Sequence, residues 1–325
     1  MRLTAPFPWF GGKRKVAREV WARFGAVVNY VEPFFGSGAV LLGRPDGWTG
    51  NETINDLDGY VANFWRAVQR DPDAVAGYAD NPVNENDLHA RHVWLLQQQT
   101  LQSQLDGDPE YCDARIAGYW VWGISCWIGS GFCSGKGPWW VNADRQLVHL
   151  GHGRGVNRQL VHLGDNGRGV NRQLVHLGSN GQGERLRPWF TALAERLRRV
   201  RVCSGDWSRV CGPSVTFRHG LTGVFLDPPY ADTADRDPSI YREDSLTVAH
   251  AVREWAIANG DHPLLRIALC GYDGEHEMPA SWSVYQWSAG AAGFGAGNGD
   301  RERIWFSPAC LSAEQGHLFA DEATA

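Results

Sequence analysis

Val224-Phe225-Leu226-Asp227-Pro228-Pro229-Tyr230 is the stretch from which the fold can be read. Its three leading apolar residues read as a buried strand, and two consecutive prolines end that strand because neither has an amide hydrogen for the ladder. The loop that follows is stiff. It groups one carboxylate, two backbone carbonyls and one aromatic ring at the carboxyl end of a strand, where open α/β sheets bind ligands. Asp227, Pro228, Pro229 and Tyr230 are therefore the candidate catalytic residues.

The flanking sequence supplies the rest of such a sheet. Val16, Val20, Trp21 and Phe24 recur at helical spacing and predict an amphipathic helix over 13–24. Val27 to Val31 reads as a short strand ending at Glu32-Pro33, and Phe34-Phe35-Gly36-Ser37-Gly38 then turns into the apolar Ala39 to Leu42. A second strand is expected around Thr53-Ile54, closing on Asn55-Asp56, with a helix through Val61, Phe64, Trp65 and Val68. Strand, glycine turn, helix and strand in that order open a parallel α/β sheet. The alternation stops between about 80 and 185. It resumes with a helix carrying Phe190, Leu193 and Leu197, a strand at Val200 to Cys203 and the strand before Asp227. A helix with Val248, Val252, Trp255 and Ala256, a strand from Leu264 to Leu269 and a last strand from Arg303 to Phe306 follow.

Bulk properties narrow the classes. A chain of 325 residues can bury a full core as one large domain or two smaller ones. No apolar run approaches the roughly 20 residues needed to span a bilayer, and no cationic segment precedes an apolar one at the start, so the expected compartment is the cytoplasm. Seven cysteines form no Cys-x-x-Cys pair, which argues for reduced thiols rather than disulfides or zinc. A net charge of −5 gives no global sign of nucleic-acid binding. Yet Arg145 to Arg201 holds eleven arginines against three acidic residues. That segment reads either as a phosphate-facing surface or as the solvated face of a helix.

Within the 80–185 region, Arg-Gln-Leu-Val-His-Leu-Gly occurs at 145–151, 158–164 and 172–178. Spacings of 13 and 14 residues are too short for helical hairpin repeats, so each copy reads as an extended segment plus a glycine turn. His149, His162 and His176 recur in register, but no second ligand type keeps pace with them, and no metal site is expected. The arginine-glycine tips at Arg154 and Arg168 are candidates for phosphate contact. Upstream, Trp120, Trp122, Trp127, Trp139 and Trp140 crowd a segment with the basic glycine loop Gly135-Lys136-Gly137. Those rings suit either unstacked bases or the core of the region. Trp127 and Lys136 join Arg154 and Arg168 as candidate DNA contacts.

Gly36-Ser37-Gly38 lies between a strand and a helix, and Asp56 stands 20 residues after Gly36 at the end of the next strand, where a carboxylate can accept hydrogen bonds from ribose hydroxyls. Leu41 occupies the position of the third glycine in the dinucleotide fingerprint. This favours a cofactor with a nucleoside and no phosphates.

Trp9-Phe10-Gly11-Gly12-Lys13, Glu32-Pro33-Phe34-Phe35-Gly36-Ser37-Gly38, Asn55-Asp56, Gly205-Asp206-Trp207 and Asp227-Pro228-Pro229-Tyr230 together resemble, in identity and order, the Dam-like (D12 class) DNA adenine-N6 methyltransferases. Leu269 to Tyr272 and Arg301 to Trp305 look like looser motifs of the same family. The resemblance implies a Rossmann-like α/β sheet binding S-adenosyl-L-methionine, with an inserted target-recognition region. Its expected divisions are a discontinuous catalytic domain at 1–80 and 186–310, an insertion at 81–185 and a tail at 311–325. It also implies roles. Trp9, Gly12 and Lys13 would contact the methionine part of the cofactor, and Glu32, Pro33, Phe34, Gly36 and Gly38 would line it. Asp56 would bind the ribose, and Asp206 and Trp207 would hold the adenine ring. Asp227 and the Pro228 carbonyl would accept hydrogen bonds from the target amino group, with Tyr230 stacked on a base flipped out of duplex DNA. No membrane and no obligate protein partner are implied. Methylation of cytosine N4 or RNA adenine, and a non-catalytic DNA-binding role, are the alternative readings.

Overall fold

The computed structural model describes residues 3–9, 11–108, 110–127, 132–133, 139–141, 147–149, 186–230, 247–288, 301–312 and 314. Its centre is a seven-stranded sheet built from β1 (Asn29–Glu32), β2 (Asn51–Asp56), β5 (Val200–Ser204), β6 (Thr222–Leu226), β7 (Leu265–Tyr272), β8 (Ser283–Gln286) and β9 (Glu302–Phe306). The spatial order is β5-β2-β1-β6-β7-β9-β8. The pairings from β5 through β7 are all parallel, and β9 runs antiparallel to both its neighbours. The mostly parallel α/β sheet expected from the sequence is therefore present. The order reverses between β1 and β6, which makes the crevice outside their carboxyl ends the place for a ligand.

Alternate residues of each central strand enter two separate apolar cores. Tyr30, Phe225, Ala268 and Cys270 face one, whereas Val31, Val224, Leu226, Ile267 and Leu269 face the other. The first core is closed by α1 (Ala17–Phe24), α3 (Gly59–Arg70), α4 (Pro72–Ala79), α7 (Ala114–Cys126) and α8 (Leu186–Leu197); the second is covered by α9 (Val248–Asn259). Burial on both faces explains why β6 reads as an unbroken apolar run and not as an alternating one.

Helix starts follow local chemistry. Asp58 caps α3 by accepting from the Tyr60 amide, and Asp71 caps α4, whose first residue is Pro72. Helix α1 begins at Ala17, four residues later than the periodicity predicts. Lys13 is drawn into the interior, and the chain from 13 to 16 forms a turn closed by the Val16 amide on the Lys13 carbonyl.

The chain from 85 to 126 is largely helical. Helices α5 (Glu85–Leu96), α6 (Leu101–Gly107) and α7 pack into the same core as α3 and α4. The Trp120 ring of α7 lies 4.9 Å from Phe7 and 6.0 Å from Phe64, so these residues share the interior of the catalytic body. Beyond them, β3 (Trp139–Val141) pairs antiparallel with β4 (Leu147–His149), which lies inside the first copy of the repeat. The other two copies, with His162 and His176, fall outside the described residues, as does Phe10.

Candidate active site

The turn after β1 is tied down on three sides. The Gly36 amide donates to Asp56 Oδ2 at 2.8 Å, and its carbonyl accepts from Trp65 Nε1 at 2.9 Å. A side chain on Gly36 would collide with the Trp9 indole, which lies against its Cα. With φ at +48° for Gly36 and +69° for Gly38, both positions hold a left-handed backbone that glycine adopts without penalty. Gly38 then leads directly into α2 (Ala39–Leu42).

Outside the carboxyl ends of β1, β2, β5 and β6 this turn borders a pocket of about 220 Å³. Trp9, Gly12, Lys13, Glu32, Pro33, Phe34 and Gly36 line it. Asp56, Asp206 and Trp207 line it as well. The Phe34 and Trp207 rings are 27° from parallel with centroids 6.2 Å apart, presenting flat apolar faces to a ring system. Asp56 accepts the amides of Gly36 and Asp58, one on each oxygen, and each oxygen keeps a lone pair for a hydroxyl donor. Burial raises this carboxyl from 3.8 to about 7, against the pull of the Gly36 amide. Two near-parallel aromatic rings beside a carboxylate suit a nucleoside, and so the residues present fit the adenosyl part of S-adenosylmethionine.

Asp227 and Pro229 belong to the same pocket. Asp227 Oδ1 lies 2.9 Å from Lys13 Nζ, which also donates to the Gly11 carbonyl at 2.7 Å and to the Tyr230 hydroxyl at 3.1 Å. Burial works to lower the Lys13 pKa, but Asp227 and Glu302 more than offset it, so the amine stays protonated. Burial raises the Asp227 carboxyl, and Lys13 opposes that rise. The carboxylate thus sits in a largely enclosed niche with the Lys13 ammonium beside it, where charge on a substrate is felt strongly.

Residues 9–107 match the family model described as D12 class N6 adenine-specific DNA methyltransferase. Over those residues the chain is similar to that class. It is accordingly an enzyme that uses S-adenosylmethionine to methylate N6 of adenine in DNA. The matched span runs from Trp9 through α6 and includes the glycine turn and Asp56; Asp227 lies beyond it. No curated protein matches the chain.

Some expected site residues lie apart from the pocket. Gly38, Pro228 and Tyr230 are buried behind its wall. Tyr230 is only 6 % exposed, its ring edge-on to Tyr272 and its hydroxyl donating to Glu302 at 2.7 Å. Lys13 reaches the pocket, but its three N–H groups already meet protein acceptors, which ties it to Asp227 and not to a cofactor carboxylate. Trp127, expected at a DNA-facing surface, is instead an interior residue packed on His92 and Phe132, since the apolar ring gains more from that burial than from solvent. Lys136, Arg154 and Arg168 lie outside the described residues. Arg196 is bonded to Glu52, and Arg198 and Arg199 precede the start of β5, on the rim opposite the pocket.

Two participants escaped the sequence reading of the site. Glu302 was part of a recognised motif without a role, and Cys270, buried on β7, adjoins Asp227 and bears on its carboxyl. A carboxylate opening a strand whose last three residues are apolar was the available signal for Glu302.

Proposed function

We propose that the pocket holds S-adenosylmethionine with Asp227 as the acceptor for the target amine, and that the adenine reaches it flipped out of duplex DNA. The observation that carries this reading is a single pocket in which the nucleoside-type wall of Asp56, Phe34 and Trp207 is continuous with the Asp227 loop. Trp9, Gly12 and the turn through Gly36 would hold the methionine part, Asp56 the ribose, and Asp206 with Trp207 the adenine. When bound, the cofactor supplies an electrophilic methyl group.

The chain's own task is to prepare the amine. An exocyclic amino group is a weak nucleophile because its lone pair is delocalised into the ring. A hydrogen bond from one of its N–H groups to the Asp227 carboxylate favours a pyramidal nitrogen with the lone pair directed away from the ring. The carboxylate then stabilises the positive charge that develops on nitrogen. Fixed positions for both groups supply much of the remaining advantage. A stacked, paired adenine cannot enter a pocket walled by four strand ends, which supports flipping. In this reading residues 81–185 take part in target recognition, their helices braced on the catalytic core.

Comparing wild type with Asp227→Ala tests the assignment. Equilibrium binding of tritiated cofactor should change less than about threefold, whereas transfer of label to duplex DNA should fall by at least about a thousandfold, or roughly 4 kcal/mol in barrier. Transfer at wild-type rate by the variant would sink the role given to Asp227.

A further inference from the structure

We propose that Glu302 is a positioning residue for methyl transfer, holding Asp227 in place through Tyr230 and Lys13. The inference rests on the reading of Asp227 as the amine acceptor. Four side chains from three places in the fold form one chain: Glu302 Oε2 accepts from the Tyr230 hydroxyl at 2.7 Å, that oxygen accepts from Lys13 Nζ at 3.1 Å, and Lys13 meets Asp227 at 2.9 Å. Glu302 Oε2 also lies 3.9 Å from Lys13 Nζ. Glu302 opens β9, which β7 separates from β6, so its carboxylate crosses a neighbouring strand to reach the loop after Leu226.

The arrangement has a geometric consequence. Lys13 sits at the end of a mobile four-carbon stem, and only its acceptors decide where the ammonium stands. Gly11 and Asp227 supply two of them, and the third, the Tyr230 oxygen, is itself directed by Glu302. The Tyr230 ring lies edge-on to Tyr272 at 4.5 Å, and its hydroxyl donates to Glu302. Loss of that anchor frees the phenol, then the ammonium, then the carboxylate that must meet the amine. A buried carboxylate 3 % exposed is expensive to retain, and an apolar residue would serve packing alone at less cost.

Electrostatics adds a second consequence. Asp227 faces Lys13 from the N-terminal loop, Glu32 from β1, Tyr230 from its own loop, Cys270 from β7, and Glu302 from β9. The Glu302 charge disfavours a second negative charge on Asp227. Removing it should move the acid limb of the rate profile to lower pH, a change that a merely structural role would not produce.

The test uses the full chain, tritiated S-adenosylmethionine and plasmid DNA, with kcat, cofactor KM and pH profile measured for Glu302→Gln, Tyr230→Phe, the double variant and Asp227→Ala. For Glu302→Gln the expected result is a kcat lowered at least tenfold, a cofactor KM within threefold of wild type, and an acid limb displaced downward. Tyr230→Phe, which removes one oxygen and keeps the ring, should lose kcat similarly, and the double variant should be little worse than either single one because all act on one chain. A wild-type kcat in Glu302→Gln, an unmoved acid limb, or multiplicative losses in the double variant would overturn the role of Glu302. If those results came with an inactive Asp227→Ala, only this inference would fall; an active Asp227→Ala would remove the reading beneath it as well.

Discussion

Asp56 carries the clearest pH signature in the pocket. Its carboxyl titrates near 7 in the cofactor-free protein because burial penalises the charge more than two amides compensate it. Ribose hydroxyls would donate to the ionised form, so cofactor affinity should weaken by up to about tenfold per pH unit below 7. Isothermal titration from pH 5.5 to 8.5 should show that slope, and Asp56→Asn should flatten it while weakening binding at pH 8. The sign for stability is opposite. Between 3.8 and about 7 the native carboxyl holds a proton that the unfolded chain has released, so stability from this group is present below about 4 and is lost as pH rises through 7. Gly36 is the other residue with a sharp expectation. Alanine there must adopt φ of +48° and displace Trp9, at a cost of at least about 1–2 kcal/mol. Gly36→Ala should lower Tm by several degrees and raise the cofactor Kd at least tenfold, both measurable in one ligand-dependent melting series.

Among the elements, β2 joins the two ends of the sheet's chemistry: Asp56 closes it at the pocket, and Glu52 anchors it near the opposite rim. Glu52 takes Arg196 bidentately at 2.7 and 2.8 Å and Arg44 at 2.7 Å, fastening α8 and the segment after α2 to the strand. Glu52→Ala would leave two guanidinium groups partly buried without their acceptor, a loss of about 3–5 kcal/mol. Urea denaturation should show it as a lower midpoint with an unchanged slope, and the folded fraction should still bind cofactor. Elements whose apolar residues keep a clear period were legible in the sequence: β1, β2, β6, β7, α3 and α9 lie where Val31, Ile54, Phe225, Ile267, Phe64 and Val252 place them. Helices α5 and α7 were not, because α5 buries a histidine among few apolar residues and α7 is apolar on nearly every side. Strand β8 is an exposed edge with no alternation to betray it. The pocket walls were legible for the same reason as the strands, since their residues follow strand ends. The chain from Glu302 to Asp227 was not, because it depends on β9 inserting beside β7, a pairing that no local pattern encodes.

At the scale of the whole molecule, one rigid sheet brings together residues more than two hundred positions apart, as with Lys13 and Asp227. Its first 126 residues combine the cofactor turn with helices that extend the core, so truncating α7 should unfold the pocket and not merely alter target choice. Trp120→Ala tests that coupling: removal of a ring packed on Phe7 and Phe64 should cost about 3–5 kcal/mol and lower cofactor affinity in parallel with thermal stability. The account's central claim is that the Asp227 loop, facing the nucleoside-type pocket, transfers methyl to adenine N6. Its most direct measurement is mass spectrometry of nucleosides from duplex DNA incubated with S-adenosylmethionine and either the wild-type chain or Asp227→Ala. The predicted result is N6-methyldeoxyadenosine accumulating with wild type and absent with the variant; methylation of cytosine alone, or equal product from both proteins, would contradict it.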